Sequence, residues 1–401
     1  MQNLELAKQH FLAGIAQFET QQYEAALAAF EQAAALAPER ASVQFNLGTT
    51  LFHLGRHDDA IVALNKSLAA DAQQAPAWFT LGLCRLALED WPAASQALQR
   101  GLALAPEAAN IWLTLAQCQL RQNDVVSALD AMRSATRAAP NDPQPWSELG
   151  GLLREIGQYE EAAHCFEQAI QHGADPELHA YYLAAVRPGS PVPAPPKHYA
   201  QALFDGYASD FQTHLVEALN YRAHTTLLQP LLEKGRRYPS ALDLGCGTGL
   251  CAPLLQQICD RIEGVDVSAA MVQQARQSGL YQSVSQDDLL PWLRSRDTPA
   301  DLIVAADVFI YVGELNEVFA EVARLLSPQG CFAFSVEASE DEGLRLLPSL
   351  RYAHSEHYIR ELAGRHGLEI KRSYHAPIRE EQRQPIAGQY FHLGLSRLNP
   401  V

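Results

Sequence analysis

The first half of the chain repeats its apolar positions with one fixed period. Trp78, Trp112 and Trp146 are each 34 residues apart. The same period relates leucines, glycines and alanines, namely Leu47, Leu81, Leu115 and Leu149, then Gly48, Gly82 and Gly150, then Ala26, Ala60, Ala94, Ala128 and Ala162. Small and large apolar residues that return in this way predict paired amphipathic helices that stack on one another. We therefore predict an all-α solenoid.

The period divides the first half into five units, and a sixth apolar segment follows them. The units are predicted at 7–40, 41–74, 75–108, 109–142 and 143–176. Residues 177–186 predict one more helix, which we expect to cap the last unit. The predicted array thus spans residues 1–186, because no pair of helices can bury its apolar face alone.

This repeat resembles the tetratricopeptide repeat (TPR). The resemblance rests on W-x-x-L-G early in the unit, Ala in the middle and Pro near the end, as at Pro38, Pro106 and Pro140. Arrays of that family bind proteins along a concave surface, so the resemblance implies a protein partner. A spacer or an oligomerisation arm is the alternative.

A proline-rich segment separates the array from the second half. Residues 187–197 contain five prolines in eleven positions. Proline fixes its own backbone angle and cannot donate a hydrogen bond, so the segment predicts an extended, semi-rigid linker at 187–198.

The second half alternates short apolar runs with amphipathic segments. The runs predict strands at 240–245, 261–267, 282–287, 300–307, 331–337, 369–376 and 389–397. The amphipathic segments predict helices at 199–215, 222–232, 250–259, 268–278, 314–326 and 355–367. Alternating strands and helices predict a doubly wound, mostly parallel α/β sheet in a domain of residues 199–401.

The first of these strands runs into a glycine loop, Leu242-Asp-Leu-Gly-Cys-Gly-Thr-Gly-Leu250. Glycine at alternate positions lets a backbone approach a ligand where a Cβ would collide. Asp266 ends the next strand, 21 residues after Gly245. An acid at that place is suited to hold a ribose diol. The loop is not the dinucleotide fingerprint, which would need a glycine at Leu250.

Charge and composition exclude several classes of protein. The net charge is −16, and residues 1–185 hold 10 Lys and Arg against 21 Asp and Glu. An acidic chain without a basic stripe is a poor ligand for nucleic-acid phosphates. No apolar run is long enough to predict a membrane span or a signal peptide. The seven scattered cysteines form no C-x-x-C pair, so we expect no metal site and a reducing, cytoplasmic compartment.

The glycine loop, with its acids, resembles motif I of the class I S-adenosylmethionine-dependent methyltransferases, whose domain is a Rossmann-like sheet of seven strands. The resemblance implies S-adenosyl-L-methionine as cofactor. It implies cofactor contacts from Asp243 and Asp266, from the three loop glycines, from an acid after the third strand and from an acid after the fourth. These residues are Asp243, Gly245, Gly247, Gly249, Asp266, Asp288 and Asp307. Asp287 and Asp288 are also suited to cap the helix that follows them, and Asp307 is suited to cap a helix or to hold a loop.

Three further segments make the resemblance closer. They are 203–215, 351–355 and 377–381, and they are similar to segments of bacterial methyltransferases that carry tetratricopeptide repeats. This resemblance covers nearly the whole chain and implies reaction type far better than substrate. It places Tyr207 and His214 on a helix expected to cover the cofactor as a lid.

Candidate catalytic and substrate-binding residues come from the same segments. His214, His354 and Tyr207 are candidate catalytic residues, and packing is the alternative for each. Arg379 is a candidate to hold an anionic substrate group, with a surface ion pair to Glu380 or Glu381 as the alternative. Tyr352 and His354 are expected in a loop, where binding groups are common, and Tyr311 follows the fourth strand.

The sequence therefore predicts transfer of a methyl group from S-adenosylmethionine to an acceptor that it does not identify. The array is expected to dock a protein partner or to present a substrate carried on one. The alternatives are a catalytically silent scaffold and a small-molecule methyltransferase whose repeats are only structural. No amine-methylation signature of the N-P-P-Y type follows the fourth strand, where the chain has Ala306-Asp-Val-Phe309, and this disfavours methylation of glutamine or of the exocyclic amine of adenine.

Overall fold

The chain folds into two compact units, Met1–Pro176 and Glu177–Val401, in a computed structural model. The structure describes residues 2–187, 189, 191–196, 199, 201, 203, 220–381 and 384–396. Within those residues, no helix has both the length and the apolar character that crossing a membrane requires.

The first unit consists of helices in sequential antiparallel pairs. They are α1 (Gln2–Glu19), α2 (Tyr23–Leu36), α3 (Ala41–His53), α4 (His57–Ala70), α5 (Ala75–Ala87), α6 (Trp91–Leu104), α7 (Ala109–Arg121), α8 (Val125–Ala138), α9 (Pro143–Glu155) and α10 (Tyr159–Gln171). The predicted helical solenoid of tetratricopeptide type is confirmed. Helix α1 begins before residue 7, where the first predicted unit starts.

Close helix crossings explain the periodic small residues. A Cβ on Gly82 would lie 2.5 Å from Leu98, and one on Gly150 would lie 2.6 Å from Phe166. The periodic alanines, such as Ala94, are completely buried. Only a small side chain fits where the two helices of one pair cross this closely.

The periodic tryptophans bind the loop that precedes their own helix. The indole N–H groups of Trp78, Trp112 and Trp146 donate to the carbonyls of Ala72, Pro106 and Pro140 at 2.9, 2.8 and 2.9 Å. Each indole thus fixes the connection between one helix pair and the next. A partly buried tryptophan usually keeps a hydrogen-bond partner for its N–H group in this way.

The second unit contains a mixed sheet flanked by helices. Its helices are α11 (Pro176–Val186, whose first residue ends the first unit), α12 (Ala223–Glu233), α13 (Ala252–Ile258), α14 (Ala269–Gln277), α15 (Leu289–Arg294), α16 (Asn316–Leu325) and α17 (Glu356–Arg365), with a 3₁₀ turn at Phe309–Tyr311. Its strands are β1 (Tyr238–Leu244), β2 (Cys259–Asp266), β3 (Ser283–Gln286), β4 (Ala300–Ala305), β5 (Leu326–Ala338), β6 (Leu344–Leu346), β7 (Tyr352–His354), β8 (Leu368–Glu381) and β9 (Gln384–Leu395).

The sheet is parallel through its first five strands, in the order β3-β2-β1-β4-β5. Strand β9 pairs antiparallel with β5 and with β8. The strand order reverses between β1 and β4, and in open α/β sheets ligands bind outside the carboxyl ends of the strands at such a point. The Rossmann-like fold predicted from the sequence is confirmed.

Apolar side chains cover both faces of the sheet, as a parallel sheet requires. On one face, Ile303 and Phe334 pack with Phe319 of α16. On the other, Val304 packs with Leu228 of α12 and with Leu255 of α13. The sheet is therefore a rigid floor from which the loops at the carboxyl ends of its strands rise.

The structure adds two short strands that the sequence analysis did not predict. Strand β7 pairs parallel with the end of β5, and β6 pairs antiparallel with β7. Tyr352 and His354 therefore lie in a buried strand, and the prediction of a loop at these positions is wrong.

Helix α11 also differs from expectation in its contacts. Its Tyr181 and Ala185 pack with Leu346, Leu350 and Tyr352 of the second unit. The Tyr181 hydroxyl donates to the carbonyl of Leu350 at 2.8 Å. The boundary between compact units thus precedes the segment 177–186, which we had assigned to the array as its cap. The other limits of the array units and linker stay predictions.

Candidate functional site

A cavity of about 600 Å³ opens in the second unit at the carboxyl ends of β1, β2 and β4. Its volume is in the range of sites for cofactors and small ligands. The described residues that line it come from the loops after these strands, from the start of α12 and from residues 192–196.

The glycine loop forms one wall. Gly245, Gly247 and Gly249 have φ angles of 60°, 54° and 96°, in the region that favours glycine. Gly245 and Gly247 line the cavity. A Cβ on Gly249 would lie 3.1 Å from the Tyr281 ring, so this glycine serves the packing of the loop against the sheet. It is not among the described lining residues.

Asp266 stands at the end of β2 beside that loop. Its Oδ2 accepts from the Gly247 N–H at 2.8 Å, and its Oδ1 accepts from the Ser268 N–H at 3.0 Å. The side chain is half-buried and lines the cavity. Two backbone donors hold the carboxylate in place at the cavity wall.

Asp243 lies behind the loop and is 1% exposed. Its carboxylate accepts from the Tyr281 hydroxyl at 2.7 Å. Burial raises the pKa of Asp243 to about 7, and the Tyr281 hydrogen bond opposes this rise. Asp243 is absent from the described lining of the cavity, so its predicted direct contact with a ligand has no counterpart in this arrangement.

Asp287 and Asp288 follow β3, and both line the cavity as exposed side chains. Asp288 also accepts from the Leu289 N–H at 2.7 Å at the start of α15. Both interpretations made for Asp288 from the sequence, cavity acid and helix cap, are thus compatible with its position. The shortness of the aspartate side chain allows one oxygen to cap while the other faces the cavity.

Asp307 follows β4 in a left-handed backbone conformation, with φ at 58°. Such a conformation is costly for a residue other than glycine and persists only where the surroundings enforce it. The Asp307 N–H donates to Ser335 Oγ at 2.8 Å. The carboxylate receives Arg379 Nη1 at 3.2 Å to both oxygens. Asp307 lines the cavity as predicted.

Arg379 is 2% exposed and lies in β8, so its predicted position in a loop is wrong. Besides Asp307, its guanidinium binds Glu337 at 3.0 Å and Glu381 at 2.8 Å. Although burial opposes it, Asp307 and Glu337 raise the pKa of Arg379. All three nitrogens of the guanidinium are engaged by carboxylates. The alternative made from the sequence, a surface pair with Glu381, names the right partner but not the burial.

His354 and Tyr352 are likewise buried and are not among the described lining residues. The His354 Nε2 lies 3.0 Å from the Gly313 carbonyl. Burial lowers the pKa of His354 to about 4, so the ring is neutral and acts as a donor there. The Tyr352 hydroxyl donates to the Pro193 carbonyl at 2.8 Å. Both side chains support the cavity wall from behind, which does not favour the catalytic and substrate roles predicted for them.

Of the remaining predicted residues, Tyr311 lines the cavity. Burial raises its pKa, and Arg351 opposes the rise. Tyr207 and His214 lie outside the described residues, as does most of the helix predicted at 199–215. Their catalytic roles and the lid stay predictions.

The sequence analysis missed several parts of the cavity. Val192–Pro196, taken as part of a linker, lines one side. Tyr221 and His224 stack at 5.4 Å between ring centroids and line another. Their only sequence signal is that they precede the first strand at the start of a helix. A proline-rich segment that connects two domains and one that forms the wall of a cavity have the same composition. The sequence therefore does not distinguish the two roles.

The described residues that line the cavity include six carboxylates and no Lys or Arg. The acids are Asp266, Asp287, Asp288, Asp307, Glu314 and Glu317. A concave site with one sign of charge and low-dielectric walls concentrates ligands of the opposite sign. The arrangement can thus bind hydroxyl and amino donors and cationic centres.

Family comparisons match both halves of the chain. The family described as "Methyltransferase domain" matches residues 242–334. "Tetratricopeptide repeat" matches residues 2–40. "Cilia and flagella-associated protein 70 C-terminal domain" matches residues 41–181. The chain therefore carries tetratricopeptide repeats and a methyltransferase domain, as the resemblance implied.

Similar proteins of known name are methyltransferases. One is malonyl-[acyl-carrier protein] O-methyltransferase of Geobacter sulfurreducens, 30% identical over 35% of this chain and 50% of that protein. Another is dimethylglycine N-methyltransferase of Parasynechococcus marenigrum, 31% identical over 29% of this chain and 42% of that protein. A third is trans-aconitate 2-methyltransferase of Pseudomonas paraeruginosa, 36% identical over 23% of this chain and 33% of that protein. The chain covers half or less of the length of these relatives.

Among solved structures, the crystal structure of MamA is 23% identical and covers 40% of this chain and 93% of its own, with a TM-score of 0.38. YrrB, described as a TPR protein with an unusual peptide-binding site, is 19% identical and covers 43% of this chain and 89% of its own, with a TM-score of 0.38.

Proposed function

We propose that this chain, which carries tetratricopeptide repeats and a methyltransferase domain, binds S-adenosylmethionine in the described cavity and transfers its methyl group to an acceptor, as class I enzymes do. The observation that carries the proposal is the Asp266 carboxylate, held by two backbone N–H groups beside a glycine loop at the mouth of a 600 Å³ cavity. The cofactor supplies a methyl carbon already activated by a positively charged sulfur.

The chain's own residues fit the parts of that cofactor. The carboxylate of Asp266 is placed to accept from a ribose diol. Gly245 and Gly247 line the cavity without a Cβ, which suits a loop whose backbone approaches a ligand closely. Asp287 and Asp288 are suited to accept from an adenine amino group. Asp243 would act indirectly, by holding Tyr281 and the strand below the loop.

The remaining walls serve the acceptor. Asp307 and Tyr311 follow β4, and Val192–Pro196 forms an apolar side that excludes water. Methyl transfer depends mainly on alignment and desolvation, so a rigid wall is the main contribution that the protein has to make. A general base is needed only where the acceptor loses a proton.

Calorimetry of the full chain with S-adenosylmethionine and with S-adenosylhomocysteine tests the proposal. Asp266→Ala removes a charge-assisted pair of hydrogen bonds and should weaken binding of both about 100-fold, at roughly 1.5–3 kcal/mol per hydrogen bond to a charged group. Asp260→Ala, which removes only an exposed pair with Arg237, is the matched control and should leave both affinities unchanged. Absence of binding by either compound to the wild-type chain would reject the function.

Two alternatives predict different outcomes. A catalytically silent scaffold binds the cofactor but transfers no label from it to any cellular pool. An enzyme for small molecules whose repeats are only structural keeps its kcat/KM when residues 1–176 are removed. We propose instead that the array binds a protein partner, so that removal lowers kcat/KM while the affinity for S-adenosylhomocysteine, measured as a check on folding, stays constant. The buried free cysteines favour a cytoplasmic setting.

A further inference from the structure

Two arginines behind the cavity wall are already paired with carboxylates. Arg379 Nη1 binds both oxygens of Asp307, its Nη2 binds Glu337 and its Nε binds Glu381. Arg351 also pairs with Glu381. Two arginines are thus set against three carboxylates, and the cluster carries an excess negative charge. Each nitrogen of the Arg379 guanidinium is already engaged by a carboxylate.

Asp307 presents that cluster to the cavity. Its left-handed backbone, its bond to Ser335 and its ion pair to Arg379 fix the carboxylate at the cavity wall. Burial raises the pKa of Asp307, and Arg379 and Arg351 oppose the rise. Asp307 therefore keeps a fixed carboxylate at the cavity wall, where it is also the ion-pair partner of the buried Arg379.

A second acid lies on the same side of the cavity. Glu314 follows the 3₁₀ turn at Phe309–Tyr311, lines the cavity and is exposed. Among the described residues it has no ion pair within 4 Å. Residues 204–219, whose placement is outside the described part of the chain, contain no Lys or Arg in their sequence. Lys197 and Arg383 also lie outside the described residues. Lys197 directly follows Pro196 of the cavity wall, and Arg383 is two residues after Glu381 of the buried cluster.

We propose that the acceptor carries an ammonium group and is methylated on nitrogen, with Asp307 and Glu314 providing the wall that selects positive charge. This inference rests on the function proposed above. Among the described lining residues, a tricarboxylate or an acidic acyl group would meet carboxylates and no Lys or Arg, and like charges at close range cost several kcal/mol. An ammonium is attracted by the same field.

The step balances without a further reactant. The ammonium of the acceptor first releases one proton to water. The nitrogen lone pair then forms a bond to the methyl carbon, the carbon–sulfur bond breaks and its electron pair stays on sulfur. The products are an N-methylated ammonium, a neutral thioether and the released proton. Substrate and product are both ammonium ions, so the carboxylate wall faces one positive charge before and after the transfer. No further charged group is needed to balance the product.

The test combines calorimetry with a labelled transfer on the full chain. Binding of S-adenosylhomocysteine is measured first, so that a failed cofactor site is recognised separately. The chain is then incubated with methyl-tritiated S-adenosylmethionine and a cell extract, the unreacted cofactor is adsorbed on charcoal, and the labelled products are treated with mild base and then hydrolysed in acid. We expect the label to survive both treatments and to elute with N-methylated amine standards from a cation exchanger at acidic pH. Label released by base as volatile methanol from an ester, or label that does not elute with N-methylated amines after hydrolysis, overturns the proposal.

A matched pair of variants measures the contribution of the wall. Glu314→Gln should lower the transfer rate at limiting acceptor about threefold, as expected for an exposed charge, with unchanged affinity for S-adenosylhomocysteine. Glu342→Gln, an exposed residue outside the cavity lining, is the control and should have no effect. Loss of transfer in Lys197→Ala or Arg383→Ala, rather than in Glu314→Gln, would indicate an anionic acceptor and reject the inference.

If no component of the extract accepts the labelled methyl group, binding of two small probe molecules tests the charge preference of the cavity directly. Butylammonium and butyrate have the same apolar length and opposite charge. With S-adenosylhomocysteine bound, the chain should bind butylammonium in preference to butyrate, and Glu314→Gln should reduce that preference. Absence of a preference between the two probes contradicts the proposal.

Discussion

The two compact units use glycine and charge in opposite ways. In the array, Gly48, Gly82 and Gly150 lie inside helices, and each makes room for a side chain of the facing helix. In the second unit, Gly245 and Gly247 lie in a loop with positive φ at the wall of the cavity. Glycine thus serves close helix crossings in the first unit and a left-handed backbone conformation in the second.

Charge follows the same division. The ion pairs described in the array, such as Arg56–Asp59 and Arg133–Glu161, are substantially exposed. The second unit buries Arg379 with Asp307 and Glu337 at 2%, 11% and 9% exposure of their side chains. An array needs charge only for solubility, whereas a unit with a polar cavity has to place charge inside and neutralise it there.

The largest effect should follow from breaking the buried cluster. Arg379→Met leaves Asp307 and Glu337 buried without their partner, and we expect the second unit to lose about 3–5 kcal/mol of unfolding free energy. The array counterpart, Arg133→Met, should cost less than about 1 kcal/mol. Pulsed alkylation during urea titration separates the units, because Cys84 and Cys118 report on the array and Cys251 and Cys259 on the second unit. Equal losses in both variants would contradict the comparison.

Sequence reasoning recovered the parts of this protein that depend on local pattern. The 34-residue period predicted the helix pairs, and the glycine loop with Asp266 predicted the cavity wall. It failed where partners are distant in sequence. Arg379 meets Asp307 and Glu337 across 72 and 42 residues, so no local pattern predicts its burial. Strands β6 and β7 have only three residues each, which is too short for a recognisable alternation.

Acid should destabilise the second unit through its buried histidines. His392 donates to the Leu227 carbonyl at 3.0 Å, and burial lowers its pKa to about 4, as it does for His354. The folded pKa lies below the value of about 6.5 in the unfolded chain, so the unfolded state binds more protons between these values. The stabilisation by these histidines is therefore complete above about pH 6.5 and falls as the pH drops toward 4, whereas Asp243, whose pKa burial raises to about 7, contributes with the opposite sign.

His392→Gln removes one of these titrations and should flatten the dependence by roughly 1–3 kcal/mol across that window. Urea midpoints from hydrogen exchange, labelled by a pulse at one fixed pH after equilibration at pH 7, 6 and 5, measure the effect for each unit. His357→Gln, at an exposed position of the same unit, is the control. A pH dependence of the midpoint that is the same in His392→Gln and in the wild type would contradict a buried neutral His392.

A double variant tests the helix crossings. A Cβ on Gly82 would lie 2.5 Å from Leu98, so Gly82→Ala should cost the array about 1–2 kcal/mol. The fourth unit has Ala116 and Met132 at the equivalent positions, which indicates that the more flexible methionine accommodates the extra methyl. Gly82→Ala with Leu98→Met should therefore cost less than the sum of the single changes, by about 0.5 kcal/mol or more.

The control for the Gly82 variant should change the stability of the array in the opposite direction. Gly151 lies in helix α9 with no atom within 4 Å of the place where its Cβ would be. Gly151→Ala should stabilise the array by up to about 1 kcal/mol, because alanine is the better helix former. Urea titration with pulsed alkylation of Cys84 and Cys165 measures both changes. Destabilisation by Gly151→Ala would show that space is not what separates the two glycines.

The smallest effect concerns the turn inside each repeat, where the array adopts the left-handed backbone that the glycine loop also has. Gly55 and Gly157 have φ angles of 72° and 80° there, and Gln21, Glu89 and Asn123 have 58°, 59° and 59°. A residue with a Cβ in the left-handed conformation costs about 1–2 kcal/mol of stability. Replacing it by glycine removes this cost but loses roughly 0.5–1 kcal/mol, because glycine has more conformational freedom in the unfolded chain. Glu89→Gly should thus stabilise the array by about 0.5 kcal/mol, and Asn123→Gly by less, since asparagine tolerates this conformation. Cys84 and Cys118 labelling in urea resolves the order of the two variants, and a larger gain at Asn123 would mean that side-chain contacts, not backbone strain, govern these turns.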